Sequence, residues 1–188
     1  MPDSSGGPGA RIAPVTRAEA DEHQTALFDQ IGPGEPLHLF GTLAHHSKLL
    51  RAWLPFGGRL LFGGTIAARE RELTILRTSA RCGSDYEWGQ HVGIARAAGL
   101  DDAAIIACAA TEPGDPLDEA DRALLRGVDE LVDDHVLSDG SWAALAARYD
   151  DAGMIEFTML VGHYAMVAGL LRSARVEPDG PLPTIGSV

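Results

Sequence analysis

Helix start signals recur along the 188-residue chain and limit what it can fold into. The first backbone N–H groups of a helix lack partners within it, and a Ser, Thr or Asp side chain often accepts a hydrogen bond from one of them. Such signals stand at Thr16, Thr65, Ser84 and Asp101. No segment alternates apolar and polar residues convincingly enough for a half-buried strand. The sequence therefore predicts an all-α fold.

Individual helices follow from these signals and from Gly/Pro breaks. Helices are expected over residues 16–31, 37–46, 47–62, 84–99, 101–110, 118–135, 141–149 and 151–175. A further helix, capped by Thr65, carries Glu72. The helix over 47–62 is expected to be kinked or interrupted near Pro55. The last helix is apolar nearly all round, which is typical of a helix buried in a domain core or between subunits.

The composition favours one domain. With 45% hydrophobic residues, the chain can bury one ordinary core. The Gly/Pro-rich segment 1–14 is predicted to be disordered, residues 15–178 to form a single domain, and residues 179–188 to form an irregular tail. No apolar run is expected to approach the length that crosses a bilayer.

The charge excludes several classes of partner. A net charge of −12 disfavours nucleic acid and anionic membranes, which require a basic surface. The N-terminus lacks the basic start and apolar segment of a secretory signal, so we expect a cytoplasmic protein. A small molecule is the predicted partner.

Segment 69–99 concentrates the reactive side chains. Glu87 and His91 are four residues apart and so lie on one helix face. Glu72 lies beside the apolar side of the preceding helix. Imidazole exchanges protons near neutral pH, and a partly buried carboxylate beside it can tune or share that proton. His91, Glu72 and Glu87 are therefore predicted catalytic residues.

The neighbouring residues have structural as well as functional interpretations. Ser84 and Glu87 fit the S-x-x-E capping box, in which each side chain binds a free backbone N–H, and Glu87 should then stay ionised near the helix dipole. Ser84 is also a candidate substrate-binding residue. Tyr86 is a candidate catalytic hydrogen-bond donor and Trp88 a candidate substrate contact, although both residue types more often pack in a core or interface.

The cysteines and remaining histidines are weaker candidates. Cys82 and Cys108 fit no metal-ligand or redox-pair spacing. Cys82 lies near a helix N-terminus, which leaves open a substrate contact or a one-cysteine redox role, whereas Cys108 is expected in the core. His45 is a weaker candidate for substrate binding. His46, His163 and Tyr164 are also weaker candidates for residues of the pocket.

A metal site formed by Glu72, Glu87 and His91 is a further alternative. Di-iron bundles use E-x-x-H and metalloproteases use H-E-x-x-H, and neither pattern occurs within segment 69–99, which carries these three residues. We therefore predict no metal and no cofactor.

The central motif resembles that of the carboxymuconolactone decarboxylase family, which includes the alkylhydroperoxidase D-like proteins. The motif consists of R-x-R-E-L on one helix, here residues 69–73, and of Y-E-W-x-x-H on the next helix, here residues 86–91. The peroxidase branch carries a C-x-x-C pair where this chain has Ser84 and Glu87, and a histidine where it has Tyr86. Glu72 and His91 stand where the family keeps its glutamate and histidine.

The resemblance implies a compact bundle of helices and assembly into dimers, trimers or hexamers. It implies a site in a pocket between the two motif helices. The first functional hypothesis is a cofactor-free acid/base enzyme acting on a small organic acid, lactone or related carbonyl compound. The alternatives are peroxide reduction through Cys82, disfavoured by the missing C-x-x-C pair, and a non-catalytic scaffold protein.

Overall fold

The computed structural model describes residues 9–188, and this part of the chain contains helices and no strands, which confirms the all-α prediction. The helices are α1 (Glu22–Ile31), α2 (His38–Ala44), α3 (Ser47–Phe62), α4 (Ala68–Cys82), α5 (Asp85–Ala97), α6 (Asp102–Ala107), α7 (Glu119–Asp133), α8 (Asp139–Ala146) and α9 (Asp151–Ala174). Helices α2, α3, α5, α7 and α9 begin and end within two residues of their predicted bounds. Helix α3 is not interrupted at Pro55, which lies within it.

The described chain forms two compact units. The first comprises the residues up to 56 and residues 170–181, and the second comprises residues 57–169 and 182–188. The sequence predicts a single domain over 15–178. The predicted catalytic residues all belong to the second unit.

The start of α1 differs from its prediction. The Glu19 carboxylate accepts from the Thr16 backbone N–H at 3.2 Å, as the capping box predicts, but the Thr16 hydroxyl donates to that carboxylate at 2.8 Å instead of accepting from a backbone N–H. The helix nevertheless begins at Glu22, because Asp21 and Gln24 form the complete capping box. The Thr16 hydroxyl is used as a donor to Glu19, so that pair closes a turn before the helix.

Part of the predicted disordered segment has defined contacts. Residues 1–8 lie outside the described residues. Residues 9–14 have no helix, but the backbone N–H of Arg11 donates to the Ala174 carbonyl at 2.8 Å, and its guanidinium donates to the Ser173 carbonyl. This segment is thus hydrogen-bonded to the end of α9.

Helix α4 is the buried helix of the second unit. Eight consecutive residues, 72–79, are buried, so the helix is enclosed on all sides. Its hydroxyl groups donate to carbonyls one turn back, as Thr78 does to Thr74 at 2.8 Å. The Arg77 guanidinium forms two 2.6 Å hydrogen bonds with Asp129 on α7. The polar side chains of α4 are thereby paired despite their burial.

The predicted capping role of Thr65 is wrong. The N-cap of α4 is Ala67, which has no side-chain hydrogen bond. Thr65 is instead bound by Glu156 of α9, whose carboxylate accepts from the Thr65 backbone N–H at 2.6 Å and from its hydroxyl at 2.8 Å. A tertiary contact thus replaces the local cap.

Helix α9 departs from the expectation that no apolar run approaches the length needed to cross a bilayer. It has 24 residues, and its mean hydropathy reaches 1.5 over an 18-residue window, enough by length and composition to cross a membrane. Half of that window is buried inside the fold, with Phe157, Leu160 and Val161 among the buried residues. Such burial is also typical of a core helix, so the finding is weak support for a membrane span.

Candidate active site

A tight turn connects the two motif helices. Gly83 follows α4 in the left-handed conformation, with φ 66° and ψ 36°, which glycine adopts without steric cost. The Ser84 backbone N–H then donates to the Ser79 carbonyl at 2.9 Å. This turn ends α4 and returns the chain so that α5 packs against α4.

The packing brings Glu72 and His91 together. Nδ1 of His91 lies 2.7 Å from Oε2 of Glu72. Glu72 is fully buried, and His91 is 7% exposed. A hydrogen bond between a carboxylate and an imidazole is charge-assisted and is strengthened where water is excluded.

The surroundings of Glu72 define the proton positions on His91. The Arg71 guanidinium donates to Oε1 of Glu72 at 3.0 Å. An ionised carboxylate only accepts hydrogen bonds, so Nδ1 of His91 is the protonated nitrogen that donates to Oε2. Among residues 9–188, the hydrogen bond found for the His91 ring is the one at Nδ1, and the other ring nitrogen is Nε2. In a neutral ring it carries the lone pair, which is the form required of a general base.

Tyr164 of α9 joins this pair, although the sequence marks it only as a weak candidate. Its ring meets the His91 ring edge-on, with centroids 5.1 Å apart and an interplanar angle of 87°. Burial, and then the charges of Glu72 and Glu87, raise the pKa of Tyr164, so its phenol stays protonated. His163 packs on the Tyr164 ring at 5.2 Å, and burial lowers the pKa of His163 to about 4.

Glu87 is buried without forming the predicted capping box. The Ser84 side chain forms no capping hydrogen bond, and the Ser84 backbone N–H is already bound to Ser79, so Glu87 has no donor to bind there. Glu87 is only 3% exposed, and neither of its carboxyl oxygens has a partner of acceptable geometry among residues 9–188.

The expectation that Glu87 stays ionised is also wrong. Burial raises the pKa of Glu87 to about 8, while the nearby Ser84 hydroxyl acts in the opposite direction. Burial costs the ionised carboxylate more hydration energy than it gains from its interactions with the helix N-terminus and the Ser84 hydroxyl. The Glu87 carboxyl is therefore mainly protonated at neutral pH and can donate a hydrogen bond.

The aromatic residues of the motif are buried. Trp88 has no exposed surface, and its indole N–H donates to the Ser187 carbonyl at 2.9 Å. It belongs to the core of the second unit, as the packing interpretation of this residue predicts. Tyr86 is also buried, with 6% exposure.

The remaining candidates occupy different places. Cys82 is the last residue of α4 and is partly exposed. Cys108 is buried as predicted; its thiol donates to the Ala104 carbonyl, and burial raises its pKa to about 12. His45 lies in the first unit, where it is exposed and its Nε2 is 2.9 Å from the Ala13 carbonyl oxygen. Within the described range, no group of three or more His, Cys, Asp or Glu residues is arranged to hold a metal ion.

The charge run before Leu73 anchors α4. The Arg69 guanidinium pairs with Asp121 of α7 through hydrogen bonds of 2.8 and 2.6 Å. Glu70 accepts hydrogen bonds from Arg148 and from the Tyr149 hydroxyl. These pairs hold the helix that carries Glu72, so the run is more than a solvated surface.

Known proteins resemble this chain in sequence and in fold. Residues 47–126 match the carboxymuconolactone decarboxylase family. No curated protein matches the chain significantly in sequence. The chain is similar in structure to an uncharacterized peroxidase-related protein from Ralstonia eutropha JMP134 with an alkylhydroperoxidase AhpD core. Their identity is 20%, the TM-score is 0.75, and the match covers 93% of this chain and 94% of that one.

Two other solved structures show the same fold. An uncharacterized peroxidase-related protein from Silicibacter sp. TM1040 is 17% identical, with a TM-score of 0.78 and 96% of each chain covered. The debrominase Bmp8, as a cysteine-to-alanine variant in complex with 2,3,4-tribromopyrrole, is 16% identical, with a TM-score of 0.71 and 95% of each chain covered. The family match contains both Glu72 and His91, and together with the shared helical fold it supports the resemblance of this chain to the carboxymuconolactone decarboxylase family.

Proposed function

We propose that this protein is an acid/base enzyme that works without a cofactor on a small organic acid, lactone or related carbonyl compound, with His91 moving the proton. The observation that supports this proposal most directly is the 2.7 Å hydrogen bond between Nδ1 of His91 and the buried Glu72 carboxylate. This bond leaves Nε2 as the nitrogen that takes and returns a proton.

The geometry accounts for both directions of transfer. When Nε2 removes a proton from a carbon atom next to a carbonyl group, the ring becomes positively charged, and Glu72 stabilises that charge at close range. The imidazolium then returns the proton to the same or to another carbon atom. Isomerisation and elimination begin with the removal of such a proton. Decarboxylation of a carboxylated lactone, the reaction that the family name implies, breaks the bond to the carboxylate carbon instead, releases CO₂, and needs only the delivery of a proton to the carbon left behind.

Peroxide reduction through Cys82 is the alternative that the peroxidase-related structures suggest. It requires a thiolate and normally a second thiol to resolve the oxidised sulfur. Ser84 and Glu87 occupy the positions of the cysteine pair, and the remaining cysteine, Cys108, is a buried thiol with a raised pKa. The residues of this site favour proton transfer.

The direct test is exchange of carbon-bound hydrogen in D₂O. The purified protein would be incubated with carboxylated lactones and β-keto acids, and NMR would follow both deuterium incorporation and product formation. We expect exchange in the wild type and none with His91→Gln. Full activity of the His91→Gln variant would overturn the proposal.

The setting of this activity also remains a proposal. We expect a cytoplasmic protein that assembles into a homo-oligomer and takes a small molecule as its partner, with no binding of nucleic acid or membrane. Size-exclusion chromatography with light scattering would test the assembly.

A further inference from the structure

Three buried polar atoms at the start of α5 lack hydrogen-bond partners in the described part of the chain. They are Oγ of Ser84 and both carboxyl oxygens of Glu87; the Ser84 hydroxyl lies near enough to Glu87 to act against the rise of its pKa, but the two side chains do not meet with the geometry of a hydrogen bond. Ser84 is 1% exposed and Glu87 is 3% exposed. Unpaired buried polar groups are rare in folded proteins because they have lost hydration without gaining a bond. This cluster therefore points to a ligand that supplies the missing partner.

The cluster lies next to the proton-transfer pair. Glu87 is one helical turn before His91 on the same face of α5. Tyr164 packs edge-on against the His91 ring, and it is close enough to Glu72 and Glu87 for their charges to oppose ionisation of its phenol. The Glu87 side chain from α5 and the Tyr164 ring from α9 thus both lie near the His91 ring.

The protonation states divide the site into a base and two donors. The Glu87 carboxyl, with its pKa raised to about 8, and the Tyr164 phenol both carry their protons at neutral pH. A neutral carboxyl and a phenol can both donate to an oxygen atom that becomes negatively charged, and such donors are most effective where water is excluded.

We propose that the Glu87 carboxyl and the Tyr164 hydroxyl bind the carbonyl oxygen of the substrate and stabilise it as an enolate while His91 acts as the base. This inference rests on the proposed function and specifies the substrate class: a carbonyl compound with a hydrogen atom on the adjacent carbon. The C–H bond breaks, and its proton goes to Nε2 of His91. The electron pair forms a C=C bond, and the negative charge on oxygen accepts both hydrogen bonds.

An oxyanion probe tests this arrangement without requiring turnover. 4-Nitrophenol resembles an enolate when ionised, and its absorbance reports whether the bound form is the phenolate. We expect the wild-type protein to bind the phenolate at neutral pH. Tyr164→Phe and Glu87→Leu each remove one donor at nearly constant volume, and each should weaken binding about 10- to 100-fold.

Matched variants separate this inference from the proposed function. Tyr149→Phe removes another tyrosine hydroxyl from the second unit, one that donates to Glu70, and should bind the probe like the wild type. His91→Gln should abolish exchange but retain probe binding, because the base does not donate to the oxyanion. If Glu87→Leu does not fold, Tyr164→Phe decides the test.

The outcomes are distinct. Absence of phenolate binding by the wild type, or wild-type affinity in Tyr164→Phe, would overturn the inference even if exchange by His91 is observed. Loss of phenolate affinity in Tyr164→Phe, with Tyr149→Phe unchanged, would support it even if none of the compounds tested is turned over.

Discussion

Glu72 and His91 come from consecutive helices, and the Glu72 carboxylate holds Nδ1 of the His91 ring at 2.7 Å. Because Glu72 is fully buried and also accepts a hydrogen bond from Arg71, it has little freedom to leave the imidazole. The ring is oriented by one nitrogen and keeps the other for chemistry. This relationship underlies the first prediction.

Glu72→Gln should lower turnover by about a hundredfold or more while the fold is retained. The amide has nearly the same volume but no charge to stabilise the imidazolium, and its NH₂ group can favour the wrong tautomer of His91. Steady-state rates and deuterium exchange would be compared with the wild type, with circular dichroism as the folding control. Unchanged kcat in this variant would show that Glu72 has no part in the proton transfer.

Cys82→Ser should leave exchange of carbon-bound hydrogen unchanged. The thiol is at the end of α4 and takes no part in the hydrogen bond between Glu72 and His91. Any peroxide reduction by the wild type should disappear in the same variant, because this chemistry requires a thiolate. Peroxidase activity that persists in Cys82→Ser would exclude a thiol mechanism at this residue.

The stability of the protein should fall as the pH rises from about 6.5 to about 8. The pKa of Glu87 is raised from 4.5 to about 8 in the folded state. Between these values the folded state binds a proton that the unfolded state has released, so this group's contribution is present below pH 4.5 and is lost as pH rises toward 8. The contribution changes by at most about 1.4 kcal/mol per pH unit.

His163 limits the window in which this effect is seen. Burial lowers its pKa from 6.5 to about 4, so its contribution increases with pH between these values and opposes that of Glu87. The fall should therefore be clearest above pH 6.5. Urea unfolding at several pH values would measure it, and Glu87→Gln should lack the fall between pH 6.5 and 8. An identical pH profile in the two proteins would contradict the raised pKa.

Gly89→Ala should destabilise the second unit by about 1–3 kcal/mol. A Cβ atom at Gly89 would lie 2.6 Å from Cβ of Leu182 and 2.8 Å from the Pro183 carbonyl oxygen, where the tail crosses α5. Gly93→Ala on the same helix is the matched control, because no atom lies within 4 Å of its Cβ position. That variant should be neutral or slightly more stable. The urea midpoints of the two variants would be compared.

Local signals predicted that a helix is present more reliably than they predicted the residue at which it begins. Ser47 and Asp151 begin helices as predicted. Thr16 and Thr65 do not, because the Thr16 hydroxyl donates to Glu19 and Thr65 is bound by Glu156. The partner of the Thr65 hydroxyl is a side chain that the fold brings from a distant helix, whereas the partner of the Thr16 hydroxyl is three residues away in the sequence.

The sequence by itself determined the all-α class, the family motif and the shared face of Glu87 and His91, because these depend on local periodicity and residue identity. Only the tertiary structure decided that Glu72 bonds His91, that Tyr164 from a distant helix packs on the same ring, and that Glu87 is protonated at neutral pH. Distances between helices and the loss of water around a carboxyl group are set by packing, which has no signature in the spacing of residues along the chain.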